Sequence, residues 1–152
     1  MSGRATKGGV CVLVVDDEED IRETLREAIE LVGCTAAGAA NGAEAMAFLE
    51  AERPCLVILD LLMPVMTGLE TIAAMRRDPA LRELSVLVSS SAPSRAPAGV
   101  PVLPKPIDIQ RLWSHVRESC RCGSARRHTR ERGLHPPLAT EGPAPAGERD
   151  AR

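Results

Sequence analysis

The chain has 152 residues, 44% of them hydrophobic and only 1% aromatic, with a formal net charge of −2. That suits one domain of about 120 residues plus a tail, with an aliphatic, alanine-rich core, since Phe48 and Trp113 are the whole aromatic complement. No apolar run approaches the ~20 residues of a membrane span, no signal-type stretch precedes the first strand, and residues 1–120 carry twelve basic against seventeen acidic side chains, which argues against a nucleic-acid-binding face.

Residues 1–9 show no periodic pattern and are expected to be a flexible N-terminus. Val10 to Val15 is an apolar, β-branched run ending in Asp16-Asp17-Glu18-Glu19-Asp20, the pattern of a strand buried on both faces. Ile21, Leu25, Ala28, Ile29 and Val32 then recur at helical spacing, with acids in the first turn complementing the helix dipole and Gly33 placed as a C′ residue. Capping alone would account for Asp16 and Asp17. Cys34 to Ala40 is poor in strand formers. Asn41-Gly42 supplies a turn, and Ala43 to Glu52 forms an amphipathic helix that Arg53-Pro54 stops.

Leu56 to Leu59 is a second strongly apolar run, and it meets a single carboxylate, Asp60, before Leu61-Leu62-Met63-Pro64 turns the chain. An aspartate is disfavoured in a strand and costly to desolvate, so a purely local reading has it cap the turn before Gly68. A helix follows through Leu69, Ile72, Ala73 and Met75, ended by Asp78-Pro79. Val86-Leu87-Val88 runs into Ser89-Ser90-Ser91, and Ala92 to Gly99 lacks helical periodicity. Val100 to Leu103 is a short strand before Pro104-Lys105-Pro106. A last helix from Ile107-Asp108 carries Ile109, Leu112, Val116 and Cys120 on one face. Residues 123–152 are rich in Arg, Pro, Gly and Ala and are expected to be disordered.

Five cysteines without a framework spacing suit reduced thiols, several acting as small hydrophobes. His115, Cys120, Cys122 and His128 match no common zinc spacing.

Five β-α repeats predict a parallel sheet with helices on both faces, whose right-handed crossovers bring all strand C-termini to one edge. That edge collects Asp16, Asp17, Asp60, Ser89 or Ser90, and Lys105. Converging carboxylates repel, and a hard cation such as Mg²⁺ relieves them. A carboxylate nucleophile, a cation, an ammonium and a hydroxyl together suit phosphoryl transfer.

Val14-Val15-Asp16-Asp17-Glu18, Leu59-Asp60-Leu61-Leu62-Met63-Pro64, the serines after Val86-Leu87-Val88, and Lys105-Pro106 resemble the receiver domain of two-component response regulators. The resemblance implies a flavodoxin-like (βα)5 doubly wound sheet over residues 10–122, here with a shortened or missing fourth helix. It implies that Asp60 is the phosphoacceptor and that Asp17 binds Mg²⁺ directly. Asp16 would act partly through water, and the Leu62 carbonyl would be the backbone ligand. It makes Lys105 the phosphoryl-pairing cation, Ser90 the switch hydroxyl (with Ser89 not excluded) and Lys105–Pro106 a cis bond. The implied partner is a sensor histidine kinase or a histidine phosphotransfer protein, and the downstream protein is unknown. Neither nucleic acid nor membrane is expected, and the location is cytoplasmic. The protein would be a single-domain regulator in a phosphorelay, catalysing only its own phosphorylation and dephosphorylation. Three positions depart from the family: Thr67 replaces a frequent Asp, Val102 replaces a switching aromatic, and the Ser90–Lys105 segment is short. A phosphohydrolase would need an acid two residues after Asp60, where Leu62 stands. An interaction module acting without phosphorylation is the alternative.

Overall fold

The computed structural model describes residues 9–120. The expectations for the N-terminal segment before Gly9, for Cys122 and His128, and for the tail lie outside the described residues.

Strands β1 (Val12–Val15), β2 (Ala36–Ala39), β3 (Leu56–Leu59), β4 (Ser85–Ser90) and β5 (Val102–Pro104) form one parallel sheet in the order β2-β1-β3-β4-β5. All residues of β1 and β3 are buried, which is why both strands read as unbroken apolar runs rather than alternating ones. Helices α1 (Glu19–Leu31) and α4 (Ile109–Ser119) cover one face through Leu25, Ala28, Ile29, Leu112 and Val116. Helices α2 (Gly42–Ala51) and α3 (Gly68–Arg77) cover the other through Ala45, Leu49, Ile72 and Met75. This is the doubly wound, flavodoxin-like arrangement, with its strand order reversing beside β1.

Local chemistry sets the boundaries. Gly33 sits at φ 89° after α1, where the Gly33 and Cys34 N–H groups return to Glu30 and Ile29 carbonyls, a Schellman stop. Asn41 caps α2 and Asp108 caps α4. Thr67 and Glu70 form a complete capping box on α3. Strand β2 pairs with β1 over its full length despite its Ala-Ala-Gly-Ala sequence. Tertiary pairing therefore overrides its low propensity.

Two boundaries differ from expectation or sharpen it. The last strand begins at Val102 rather than Val100, because the Val100 N–H closes a turn onto Pro97 and Pro101 has no N–H to offer the ladder. Between β4 and β5 only a single 3₁₀ turn forms, Pro93–Arg95. The prolines and Gly99, at φ 85°, leave no room for a longer helix interior. Without that helix, Ile72, Met75, Leu84, Val86 and Val100 line an open groove.

Trp113 was not among the expected core positions, yet it is buried and its indole N–H donates to the Ala28 carbonyl at 2.8 Å, tying α4 to α1. Gly68 is held by closeness of another kind. A Cβ there would lie 2.3 Å from the Asp60 carbonyl oxygen and 2.7 Å from the Leu61 Cα, both main-chain atoms that cannot step aside. Gly68→Ala is therefore expected to cost about 1–3 kcal/mol, measured by denaturant unfolding, while also displacing the Asp60 backbone.

Candidate functional site

The three charged strand ends meet because the register makes them neighbours. Val15 is paired with Leu59, so Asp16 and Asp60 each stand one residue past the last paired position of adjacent strands. The Asp16 N–H still bonds the Ala39 carbonyl at 3.1 Å, and the Asp60 N–H bonds Val15 at 3.0 Å. On the far side, the Lys105 N–H bonds the Ser90 carbonyl at 3.0 Å, and the Lys105–Pro106 peptide is cis, as the resemblance implied.

Asp16, Asp17 and Asp60 bring one carboxylate oxygen each to within 4.8 Å of one another. Asp16 is 1% exposed and Asp60 6%, whereas Asp17 faces solvent. Asp16 is fully engaged: Oδ1 accepts from the Glu18 N–H at 2.9 Å, and Oδ2 accepts from Lys105 Nζ at 2.9 Å. The Glu18 contact is a local turn ahead of α1, whose N-cap is Glu18 and has no side-chain cap, so the expected capping role is not what Asp16 plays. Lys105 Nζ also lies 3.7 Å from Asp60 Oδ2, so one ammonium bridges two buried carboxylates.

The electrostatics follow from this geometry. Burial, the strongest influence, leaves the Asp60 carboxyl above the usual carboxylate range. The Lys105 charge opposes it, Asp16 and Asp17 add to it, and a hydrogen bond from the Leu62 N–H opposes it again. For Lys105, burial alone would lower the ammonium, but the hydrogen bond and charge of Asp16, with Asp60 and Glu18, hold it above its ordinary value. The site thus carries more negative charge than its one ammonium balances. Hard oxygen donors, one of them solvent-facing, are a donor set that fits Mg²⁺.

The hydroxyls divide. Ser90 Oγ accepts from the Ala92 N–H at 3.0 Å. Ser89 Oγ is buried and has no hydrogen-bond partner among the described residues. Ser89 stands one residue past Val88, the register partner of Leu59, as Asp60 stands one past Leu59. Leu62 is 48% exposed and Val65, at 79%, adopts φ 69°. That conformation is strained for a β-branched residue.

Sequence reasoning had brought Asp16, Asp17, Asp60 and Lys105 to this edge, and there the structure places them. It had not assigned Thr67, whose hydroxyl and carbonyl fix the start of α3 beneath the site through Glu70 and Thr71. The Thr67-Gly68-Leu69-Glu70 spacing was the signal that could have found it.

The model of the response regulator receiver domain matches residues 12–117. The chain is similar to Response regulator MprA of Mycobacterium ulcerans, 33% identical over 113 residues, covering 71% of this chain and 49% of that protein. It therefore spans about half the length of the curated relatives it matches. Among solved structures, a response regulator receiver protein from Pseudomonas putida superposes with a TM-score of 0.65 at 31% identity, covering 78% of this chain and 99% of that one. The chemotaxis response regulator CheY4 of Vibrio cholerae superposes at 0.64 with 28% identity, covering 72% and 98%. Sheet order, acidic strand ends and these likenesses agree: the chain belongs to the response regulator receiver domain family.

Proposed function

We propose that this receiver accepts a phosphoryl group on Asp60, delivered by the phosphohistidine of a sensor histidine kinase or histidine phosphotransfer protein in the cytoplasm. The observation that carries the reading is the buried Asp60 carboxylate flanked by Lys105 and two further carboxylates at the C-terminal sheet edge. In the transfer, an Asp60 carboxylate oxygen forms a bond to phosphorus as the phosphorus–nitrogen bond to the donor imidazole breaks. The imidazole leaves with the bonding pair. Lys105 stands ready to neutralise the phosphoryl oxygens, having already drawn close to both strand ends.

Asp16, Asp17, Asp60 and the Leu62 carbonyl are the groups that would hold Mg²⁺. When bound, the ion supplies positive charge to offset the incoming phosphoryl group. Ser90 is the switch hydroxyl in this reading. Ser89 is the specific competitor, because its hydroxyl is buried beside the acceptor register without a partner. The functional unit is the receiver domain, residues 10–122, acting as a phosphorelay intermediate rather than as an enzyme on other substrates. An interaction module that never becomes phosphorylated remains the competing account.

The test combines a small phosphodonor with Mg²⁺ and follows uptake by intact mass. Asp17→Ala is expected to abolish Mg²⁺-dependent uptake without unfolding the chain, because Asp17 is exposed and outside the core. Unchanged uptake and Mg²⁺ affinity in that variant would put the cation elsewhere.

How long the phosphoryl group lasts should depend on Leu62. An attacking water needs a polar group to orient it, and Leu62 offers an exposed apolar side chain beside the acceptor. Slow self-dephosphorylation is expected, with Leu62→Asn or Leu62→Glu accelerating it roughly tenfold or more. Decay no faster in either variant removes this explanation.

A further inference from the structure

At the opposite edge of the sheet, four cysteines from four separate segments converge. Cys11 immediately precedes β1, Cys55 immediately precedes β3, and Cys34 stands two residues before β2. These are three adjacent strands, so their entries lie side by side. The backbone ties them closely: the Cys55 N–H bonds the Cys11 carbonyl at 2.7 Å, and the Cys11 N–H bonds Thr35 at 3.1 Å. Cys120 arrives from above as the C-cap residue of α4. Its side chain is within hydrogen-bonding reach of the side chains of Cys11, Cys34 and Cys55. Cys11 and Cys34 are each 2% exposed and Cys120 is 0%, with Cys55 partly buried against the same cluster.

Filling core space does not explain this placement. Alanine or valine would serve there, and four of the chain's five cysteines meet at one point although 23, 21 and 65 residues separate them in sequence. The Cys120 thiol meets the other three within one buried cluster, which gathers four thiols around one point. A tetrahedral centre with metal–sulfur bonds near 2.3 Å sets its sulfurs roughly 3.8 Å apart. Thiols within hydrogen-bonding reach of Cys120 suit one such ion rather than the wider corners of an iron–sulfur cubane. Helices α1 and α4 both end at this edge, so their negative dipole ends favour a cation there.

We propose that Cys11, Cys34, Cys55 and Cys120 form a tetrathiolate site for a single divalent metal ion of the zinc class, which clamps the entries of β2, β1 and β3 to the end of α4. The hydrogen bonds of its three neighbours, with burial, push the Cys120 thiol up, and ligating thiols give up their protons to the solvent as the ion binds. No redox step is involved. The site lies across the sheet from Asp60 and is structural rather than part of the phosphoryl chemistry.

The full chain, purified under reducing conditions in the presence of zinc and then gel-filtered, should carry close to one zinc per chain by elemental analysis. Reconstitution with Co²⁺ after metal removal should give the thiolate-to-cobalt charge-transfer absorption of a tetrahedral sulfur site. Chelation should lower the melting temperature by on the order of 5 °C. Cys55→Ser, the least buried of the four, should retain below about one-tenth of an equivalent of zinc yet still take up phosphoryl from a small donor, which shows that it folds. Cys122→Ser should keep the metal. Wild-type chain that binds neither Zn²⁺ nor Co²⁺ would overturn the proposal. So would disulfides among the four cysteines under these conditions, or iron with inorganic sulfide, or metal lost in Cys122→Ser. The wild-type measurements decide the matter even if a cysteine variant fails to fold.

Discussion

Asp60→Asn is expected to eliminate phosphoryl uptake from a small phosphodonor, because the amide cannot attack phosphorus and Asp16, the other carboxylate beside Lys105, has both oxygens engaged by the Glu18 N–H and that ammonium. The same variant should be more stable than the parent at neutral pH. The Asp60 carboxyl is held above its ordinary range, chiefly by burial. A carboxyl with a raised folded value contributes stability below its unfolded value and loses that contribution as pH rises through the folded value. At neutral pH its charge is therefore a cost, which the neutral asparagine removes. The melting temperature should rise by a few degrees near pH 7, and the difference should close as pH falls below the ordinary carboxylate range. A variant that still gains phosphate, or that is less stable than the parent across this range, contradicts the description of the site.

Lys105→Ala should have the opposite sign and a larger size. Its ammonium bonds Asp16 Oδ2 at 2.9 Å, and both side chains are largely buried, at 16% and 2% exposure. Removing the cation leaves Asp16 and Asp60 as neighbouring buried charges with no counter-charge, a loss of about 3 kcal/mol. The Lys105 contribution is complete at neutral pH, since its raised value means that stability fades only above the ordinary lysine value of 10.5. Phosphoryl uptake should slow roughly hundredfold, as when a positioned charge is removed from a developing anion. Added Mg²⁺ should recover part of the stability. Chemical denaturation at fixed pH, with and without the ion, measures both terms. Arginine at this position should not restore the rate, because its planar fork cannot reproduce a compact ammonium between two carboxylates.

The phosphoryl-transfer edge was legible in the residues because parallel strands buried on both faces read as apolar runs, and whatever polar residue ends each run must come to the same side. Val15 to Asp16 and Leu59 to Asp60 are abrupt enough to mark strand ends to the residue. The missing helix was legible for a related reason: Pro93, Pro97 and Gly99 deny a helix its interior, and a single 3₁₀ turn is what formed. Strand β2 was the least legible element. Its alanines and glycine carry no β signal, and its existence depends on pairing with β1. The tie from Trp113 to Ala28 depends on how α4 lies across α1, which periodicity alone does not give.

The thiols at the other edge illustrate the same rule seen backwards. Spacing along the chain suggested only small hydrophobes, because no pair of cysteines among the four has a metal-motif interval. Each one, however, sits at the entry to a strand or at the end of the last helix, and a parallel sheet collects those positions as surely as it collects strand ends. Motif spacing detects sites built within one loop. A site assembled with one residue per element becomes visible only when the topology is in hand.

Asp60 as phosphoacceptor is tested most directly by trapping the modified residue in the wild-type chain. After incubation with a small phosphodonor and Mg²⁺, borohydride reduction converts an aspartyl phosphate to homoserine, which peptide mass spectrometry locates. The account predicts homoserine at position 60, dependent on Mg²⁺, with Asp16 and Asp17 unmodified. Homoserine at either of those positions, or none at position 60 in folded chain with Mg²⁺ present, would contradict it.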